Sequence, residues 1–332
     1  MAVEATAYAR AGLVGNPSDG YFGKTISVIV KNFSAKVTLY EAAEVEVVPS
    51  FQDRSKYASV RDLVEDVRLQ GYYGGIRLMK ATVKKFVEYC DGRGIALHDR
   101  NFSLRYRSNI PRQVGLAGSS ALVTATLRCL LDFYDVEIPR PEQPNLILSV
   151  ENEELGISAG LQDRVIQVYQ GCVFMDFDEA IMKQQGHGEY EEIEPGQLPN
   201  IYIAYRTGDA EGSEVFHNNI RERWRTGDTE VIQAMKDFAS FAQTARDLLV
   251  SGRGGEIGPV LDQNFDLRRS LYNLSPSNID MVERARSVGA SAKFAGSGGA
   301  IIGTYSDEGM LDRLFEAFEG TDTEVFKPVI ER

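Results

Sequence analysis

Apolar and polar positions divide the chain into strand-like and helix-like stretches. Residues 5–49 predict β structure: a short apolar run over 11–15, then 25–30, 33–40 and 45–48, rich in β-branched side chains. A polar turn cluster, residues 16–23, separates the first two. Leu63, Val64 and Val67 predict a helix before the Gly71-Tyr72-Tyr73 segment, and a second helix follows over 76–89 with Leu78, Met79, Val83, Phe86 and Val87 on its apolar face. Alternation over 102–106 predicts a half-buried strand, and the run 122–131 a buried helix. Residues 145–154 and 160–169 read as helices and 171–177 as a strand. The stretch 183–200, rich in Gly, Gln, Glu and Pro, reads as a surface connection that divides the chain into domains of residues 1–190 and 191–332. A strand over 201–205, helical periodicity over 213–288 with one helix at 256–272, a hairpin over 291–305, a helix through Phe318 and a strand near Val325 complete an α+β sandwich pattern.

Composition narrows the function. A chain of 332 residues can bury two cores, and 43% apolar with 25% charged residues is a soluble composition. A net charge of −12 argues against nucleic acid and anionic membranes as partners, since phosphate contacts need a basic patch, but leaves room for a small anion. No basic-then-apolar leader and no run of about 18 apolar residues occurs, so a cytoplasmic protein is expected. Cys90, Cys129 and Cys172 are dispersed and read as buried free thiols. His98, His187 and His217 stand alone in polar contexts and read as solvated, which argues against a triad or a histidine-metal site. Residues 18–25 nearly spell a P-loop, but Ser18 replaces its first glycine and a strand follows where that motif needs a helix.

The strongest candidate for chemistry is residues 111–121, containing Pro111, Gly115, Leu116, Ala117, Gly118, Ser119 and Ser120. It joins a strand to a helix, so unpaired N–H groups and the positive end of the helix dipole converge on one point suited to a phosphate. The same pattern also suits an ordinary capped helix. Downstream, Glu151 and Asp163 flank a glycine-containing turn. Beside a phosphate loop, one carboxylate could hold Mg²⁺ and the other take a proton from an attacking hydroxyl. Alternatively Asp163 caps a helix and Glu151 joins Glu153 and Glu154 on a solvated face, the reading preferred for the last two.

Three segments together resemble the GHMP kinase superfamily, the group of galactokinase, homoserine kinase, mevalonate kinase and phosphomevalonate kinase. Residues 9–19 resemble its first motif, 111–121 its phosphate loop with Ala117-Gly118 in place of a single glycine, and 293–300 its C-terminal glycine-rich turn. Within that superfamily, residues 70–75, 109–113, 154–157 with 160–164, and 264–269 are similar to the plant-type glucuronokinases. The resemblance implies a two-domain α+β fold: an N-terminal domain like ribosomal protein S5 domain 2 and a ferredoxin-like C-terminal domain. It implies a sugar-1-kinase using ATP and Mg²⁺ to convert D-glucuronate into 1-phospho-α-D-glucuronate. Galacturonate, arabinose or fucose kinases are the alternatives, and beyond them a non-catalytic sugar sensor, which would be free to lose Arg10, Glu151 or Asp163.

Carried over by position, Asp163 matches the catalytic aspartate and Arg10 the basic residue beside it. Pro111, Gly115, Leu116, Ala117, Gly118, Ser119 and Ser120 would bind ATP, and Ser120 and Glu151 would hold Mg²⁺. Asp19 would bind sugar hydroxyls, and Asn16 stands where galactokinases commonly have glutamate. An acidic sugar also needs a cation. Arg112, Arg164, Arg268, Arg269 and Lys293 lie near the motifs. Arg268 is preferred because it shares a helix face with Asn264, and Arg164 comes second because it adjoins Asp163.

Overall fold

The computed structural model describes residues 1–49, 53, 74–208 and 214–331, without the side chains of 214–219. The helix expected around Leu63 and the glycine–tyrosine segment after it fall outside the described residues. The first half of the chain comprises β1 (Ala2–Val14), β2 (Lys24–Ala42), β3 (Glu46–Val47), α1 (Gly75–Arg93), β4 (Asn101–Ser108), α2 (Gly118–Tyr134), α3 (Gln143–Ser149), α4 (Gln162–Tyr169), β5 (Cys172–Asp176), α5 (Glu179–Gln185) and β6 (Glu189–Ile193). The second comprises β7 (Ile201–Arg206), α6 (Glu214–Arg225), α7 (Thr229–Val250), α8 (Gly258–Leu271), α9 (Pro276–Ser287), β8 (Lys293–Phe294), β9 (Ala300–Thr304), α10 (Glu308–Phe318) and β10 (Thr323–Phe326).

One long strand organises the first sheet. β2 pairs with β1 along one edge, and with β5 and then β4 along the other, giving the order β3-β4-β2-β5-β6 with β1 beside β2. The two strands expected at 25–30 and 33–40 are halves of β2. A register shift against β1 between Tyr8 and Ala9 takes up the intervening residues as a bulge, which bends the strand without ending it. In β1, Val3, Ala5, Ala7, Ala9, Ala11 and Leu13 alternate into the core. Their small side chains let α2 lie close across β1 and β2. α2 is covered on its other sides by α1 and α3, which explains why it is apolar nearly all round.

The stretch 183–200 is more ordered than its composition implies. β6 pairs antiparallel with β5 and forms a sheet edge, where the glutamates that look like loop residues keep the strand soluble. His98 is also not a solvated residue: its ring lies 4.6 Å from that of Tyr134, and Nε2 is 2.8 Å from the Phe133 carbonyl oxygen. His187 contacts the Gly188 carbonyl oxygen at 2.8 Å, and the side chain of His217 lies outside the described residues. The three cysteines are buried and unpaired, as their spacing implies. Among the described residues no helix is long and apolar enough to cross a membrane.

The second sheet runs β10-β7-β9-β8, all antiparallel. Numbered within itself this order is 4-1-3-2, the ferredoxin-like arrangement of a split β-α-β. Its strands have two buried faces. Tyr202 and Ala204 point into a core with Phe265, Phe294 and Leu314, whereas Ile201 and Ile203 join the core that contains Leu13 and Ile26. Packing is therefore continuous from one sheet to the other beneath the cleft between them.

Candidate active site

The cleft forms along the outer edge of β1. Arg10 N–H donates to the Leu116 carbonyl at 3.2 Å, Gly12 N–H to the Ala295 carbonyl at 2.7 Å, and Gly15 N–H to Asn264 Oδ1 at 2.7 Å. One strand edge thus gathers the loop before α2, the turn between β8 and β9, and α8. Contact between the first two is close: a Cβ on Gly115 would lie 2.9 Å from the Gly298 carbonyl oxygen, and the Gly115 φ of +72° independently favours glycine. Above this edge lies a cavity of about 400 Å³, a volume within the range of small-molecule sites.

Arg10 is the hub. It is 5% exposed. Its Nε donates to Asp163 Oδ1 at 2.6 Å, and its Nη1 to the carbonyls of Gly115 at 2.7 Å and Ala295 at 2.9 Å. The three segments singled out in the sequence therefore meet on one guanidinium. Asp163 is the second residue of α4, and Arg164 Nη1 lies 3.3 Å from its Oδ2. Burial opposes ionisation of Asp163, but Arg10 and Arg164 outweigh it and hold the carboxyl below the ordinary range.

Glu151 is fully buried on a π-helical turn, Val150–Glu154, that continues α3. Ser119 Oγ donates to its Oε1 at 2.7 Å, and Arg164 Nη2 bonds to its Oε2. The structure thus brings Glu151 to the phosphate loop but pairs it with Ser119. Ser120 faces away: its fully buried Oγ donates to the Ala117 carbonyl at 3.2 Å, the back-bond a hydroxyl makes when it points along its own helix. Ala117 precedes α2 in a left-handed conformation (φ 60°, ψ 45°), aiming the start of the helix into the cavity. Pro111, Gly115, Leu116, Gly118 and Ser119 also line the cavity. Beyond the loop its wall becomes more apolar, with Leu78, Ile110 and Leu122. Glu153 and Glu154 are surface residues paired with Lys85 and Lys84 of α1.

At the opposite end stand Asn16, Asp19, Tyr21, Gln162 and Arg221. Asp19 accepts from Gln162 N–H at 3.3 Å and Gln162 Nε2 at 3.2 Å. Burial and the neighbouring Asp163 raise its carboxyl to about 7, against the opposing pull of Gln162, Arg10 and Arg164. Two nearby carboxyls are thus driven in opposite directions, a pattern associated with divided acid–base roles. Asn16 is 2% exposed and its Oδ1 has no hydrogen-bond partner among the described residues.

The candidate cations separate clearly. Arg164 is 3% exposed and held by Glu151, Asp163 and the Gly160 carbonyl, so it is an internal counterion and not a free sugar ligand. Arg268 shares its buried face with Asn264 as the spacing implies and lines the cavity. Its Nη1 and Nη2 donate to the carbonyls of Gly296 at 2.8 Å and Ser297 at 3.3 Å. Arg269 is exposed and pairs with Glu283. Lys293 is 1% exposed and donates to the carbonyls of Gly12 and Phe294. Its burial, with Arg268 and Arg10 near, depresses its ammonium well below the usual lysine range. Arg112 is exposed on the approach to the phosphate loop. Tyr21 and Arg221 lie in none of the segments that carry the resemblance, and only the fold brings them to the cavity; Gln162 lies in one of those segments but was given no role.

Comparison with known proteins agrees with this geometry. Residues 77–171 match the family description "GHMP kinases N terminal domain". Two Arabidopsis thaliana proteins, glucuronokinase 1 and probable glucuronokinase 2, are each 45% identical to the chain, the first over 91% of this chain and 84% of its own length, the second over 90% and 83%. The fold is that of Lactococcus lactis galactokinase complexed with galactose, with a TM-score of 0.76 at 16% identity over 99% of this chain and 93% of that one. Streptococcus pneumoniae phosphomevalonate kinase gives a TM-score of 0.75 at 14% identity over the whole of both chains. With high identity to two curated relatives along most of its length, and the three motif segments assembled on Arg10, the chain belongs to the GHMP kinase family.

Proposed function

We propose that the protein is an ATP-dependent sugar-1-kinase that phosphorylates the anomeric hydroxyl of D-glucuronate, giving ADP and 1-phospho-α-D-glucuronate. The observation that carries this reading is the Arg10–Asp163 pair beside the phosphate loop, together with 45% identity to the two Arabidopsis glucuronokinases.

In this reading the backbone of residues 115–119 and the start of α2 receive the nucleotide phosphates, and the apolar wall near Leu78 and Ile110 receives the base. Pro111, Gly115, Leu116, Ala117, Gly118 and Ser119 form the ATP site, with Ser120 as a buried support. Asp163 accepts the proton of the anomeric hydroxyl as its oxygen attacks the γ-phosphorus and ADP departs. Arg10 keeps that carboxylate charged and oriented. Asp19 and Asn16 bind sugar hydroxyls, and Arg268 fixes the 296–297 turn and adds positive potential.

The donor set also suits Mg²⁺: a carboxylate and a hydroxyl, Glu151 and Ser119, both line the cavity at the phosphate loop, and this ion is usually held by one or two carboxylates together with substrate phosphates. Bound there, it would neutralise phosphate charge. We assign the metal role to Glu151 with Ser119, in place of Ser120.

The test is a panel of neutral sugars and sugar acids with ATP, scored for ADP release. The reading expects the highest kcat/KM with glucuronate. Equal efficiency with glucose, or no sugar-dependent ADP release across the panel, would contradict it.

A further inference from the structure

The sugar end of the cavity is closed by a helix whose role no motif marks. α6 is anchored on both sides of Arg221. Ile220 is 2% exposed and packs with Val231, Met235 and Phe238. Trp224, one turn beyond Arg221 on the same face, meets the rings of Tyr21 at 5.5 Å and Phe22 at 6.0 Å. These contacts fix Arg221 against the short turn Ser18–Tyr21, which also carries Asp19. The Arg221 guanidinium lies beside the Tyr21 hydroxyl, and a Cβ on Gly20 would stand 3.9 Å from its Nη2.

The other guanidiniums facing the cavity have prior commitments. Arg10 and Arg164 are bound to Asp163 and Glu151, and Arg268 donates to two carbonyls of the 296–297 turn. Arg112 stands at the phosphate-loop end. Beside Arg221 lie the Tyr21 phenol and, on the same turn, Asp19, and among the described residues neither is ion-paired with it, so its charge is open to a ligand.

We propose that Arg221 is the specificity-determining residue of the sugar end, binding the carboxylate of a uronic acid whose anomeric hydroxyl faces Asp163. The proposal rests on the uronic-acid reading above. In a pyranuronic acid the carboxyl-bearing carbon and the anomeric carbon flank the ring oxygen on opposite sides. Their partners therefore belong on different walls, as Asp163 on α4 and Arg221 on α6 are. A carboxylate leaving water needs a charged partner, and the planar fork of arginine meets both of its oxygens. A neutral hexose would forgo that contact while keeping its other hydrogen bonds.

The experiment measures kcat and KM for glucuronate, glucose and ATP in the wild type, Arg221→Gln and Arg221→Lys. Arg221→Gln should raise the KM for glucuronate roughly ten- to a hundredfold, leave the KM for ATP and the kcat/KM for glucose nearly unchanged, and so collapse the preference for the acid. Arg221→Lys should recover part of it. If the wild type prefers glucuronate and Arg221→Gln keeps that preference, the assignment of Arg221 is overturned while the uronic-acid reading stands. If the wild type shows no preference, both are overturned. A parallel loss of ATP affinity in both variants would make Arg221 a structural residue and also overturn the assignment.

Discussion

The two ends of the cleft treat their charges differently. At the end near the phosphate loop, Glu151 is held by Ser119 and Arg164, and Asp163 by Arg10 and Arg164. Each buried carboxylate meets an arginine, and the geometry is set before any ligand arrives. At the end proposed for the sugar, Asn16 Oδ1 lacks a partner among the described residues, Asp19 carries a carboxyl raised to about 7, and Arg221 faces a phenol. Unmet polar groups are costly inside a protein. Such atoms occur at both ends, since Arg164 Nε and Gln167 Oε1 near the loop also lack partners among the described residues. The contrast lies in the carboxyls, which are ion-paired and preorganised at one end and at the other include Asp19, bonded among the described residues only by Gln162 and raised to about 7.

This contrast can be broken most sharply at Asp163. Asp163→Asn should lower kcat by ~10²–10⁴-fold, the usual contribution of a positioned base, while ATP still binds. Turnover above half that of the wild type would remove Asp163 from the chemistry. Next comes Arg164, which joins two buried carboxylates. Arg164→Met should cost about 3–5 kcal/mol in urea unfolding, because it leaves buried charge uncompensated. A loss below about 1 kcal/mol would place the pair in the class of surface bridges. Mg²⁺ dependence separates adjacent serines. Glu151→Gln and Ser119→Ala should both raise the Mg²⁺ concentration needed for half-maximal rate, and Ser120→Ala should not. The reverse order would return the metal to Ser120.

The sugar end gives a pH signature. Because the Asp19 carboxyl is raised from 3.8 to about 7, its contribution to stability is fully present below about 3.8 and is lost as pH rises through about 7. Asp19→Asn should therefore gain melting temperature relative to the wild type at pH 8 compared with pH 5. A difference that does not change with pH would mean that Asp19 is not desolvated. The smallest effect is expected at Ala117, whose left-handed backbone costs a residue with a Cβ about 1–2 kcal/mol. Ala117→Gly should recover part of that, less the entropy glycine loses on folding, with little change in kcat.

The features legible in the sequence were those with local periodicity or a contiguous motif. The 111–121 loop, the buried helix after it and the shared face of Asn264 and Arg268 are short-range patterns, and the structure reproduces them. Arg10 and Asp163, 153 positions apart, were paired only through family resemblance. That Ser119 and not Ser120 faces the cavity depends on the helix phase, set by where the left-handed Ala117 starts the turn, which the sequence does not reveal. Arg164 looked available because its sequence neighbour is Asp163, but its second partner, Glu151, arrives through the tertiary fold. Arg221 was invisible for the same reason. It acquires its place from Trp224 packing on Tyr21, about 200 residues away in the chain.

The central claim is transfer of phosphate to the anomeric oxygen of a sugar acid, and the product itself tests it most directly. Phosphorus–proton NMR of the wild-type reaction with ATP, Mg²⁺ and glucuronate should show one sugar phosphate coupled to the anomeric proton, formed in step with ADP. A phosphate coupled to any other ring proton, or ADP formed without a phosphorylated sugar acid, would contradict it.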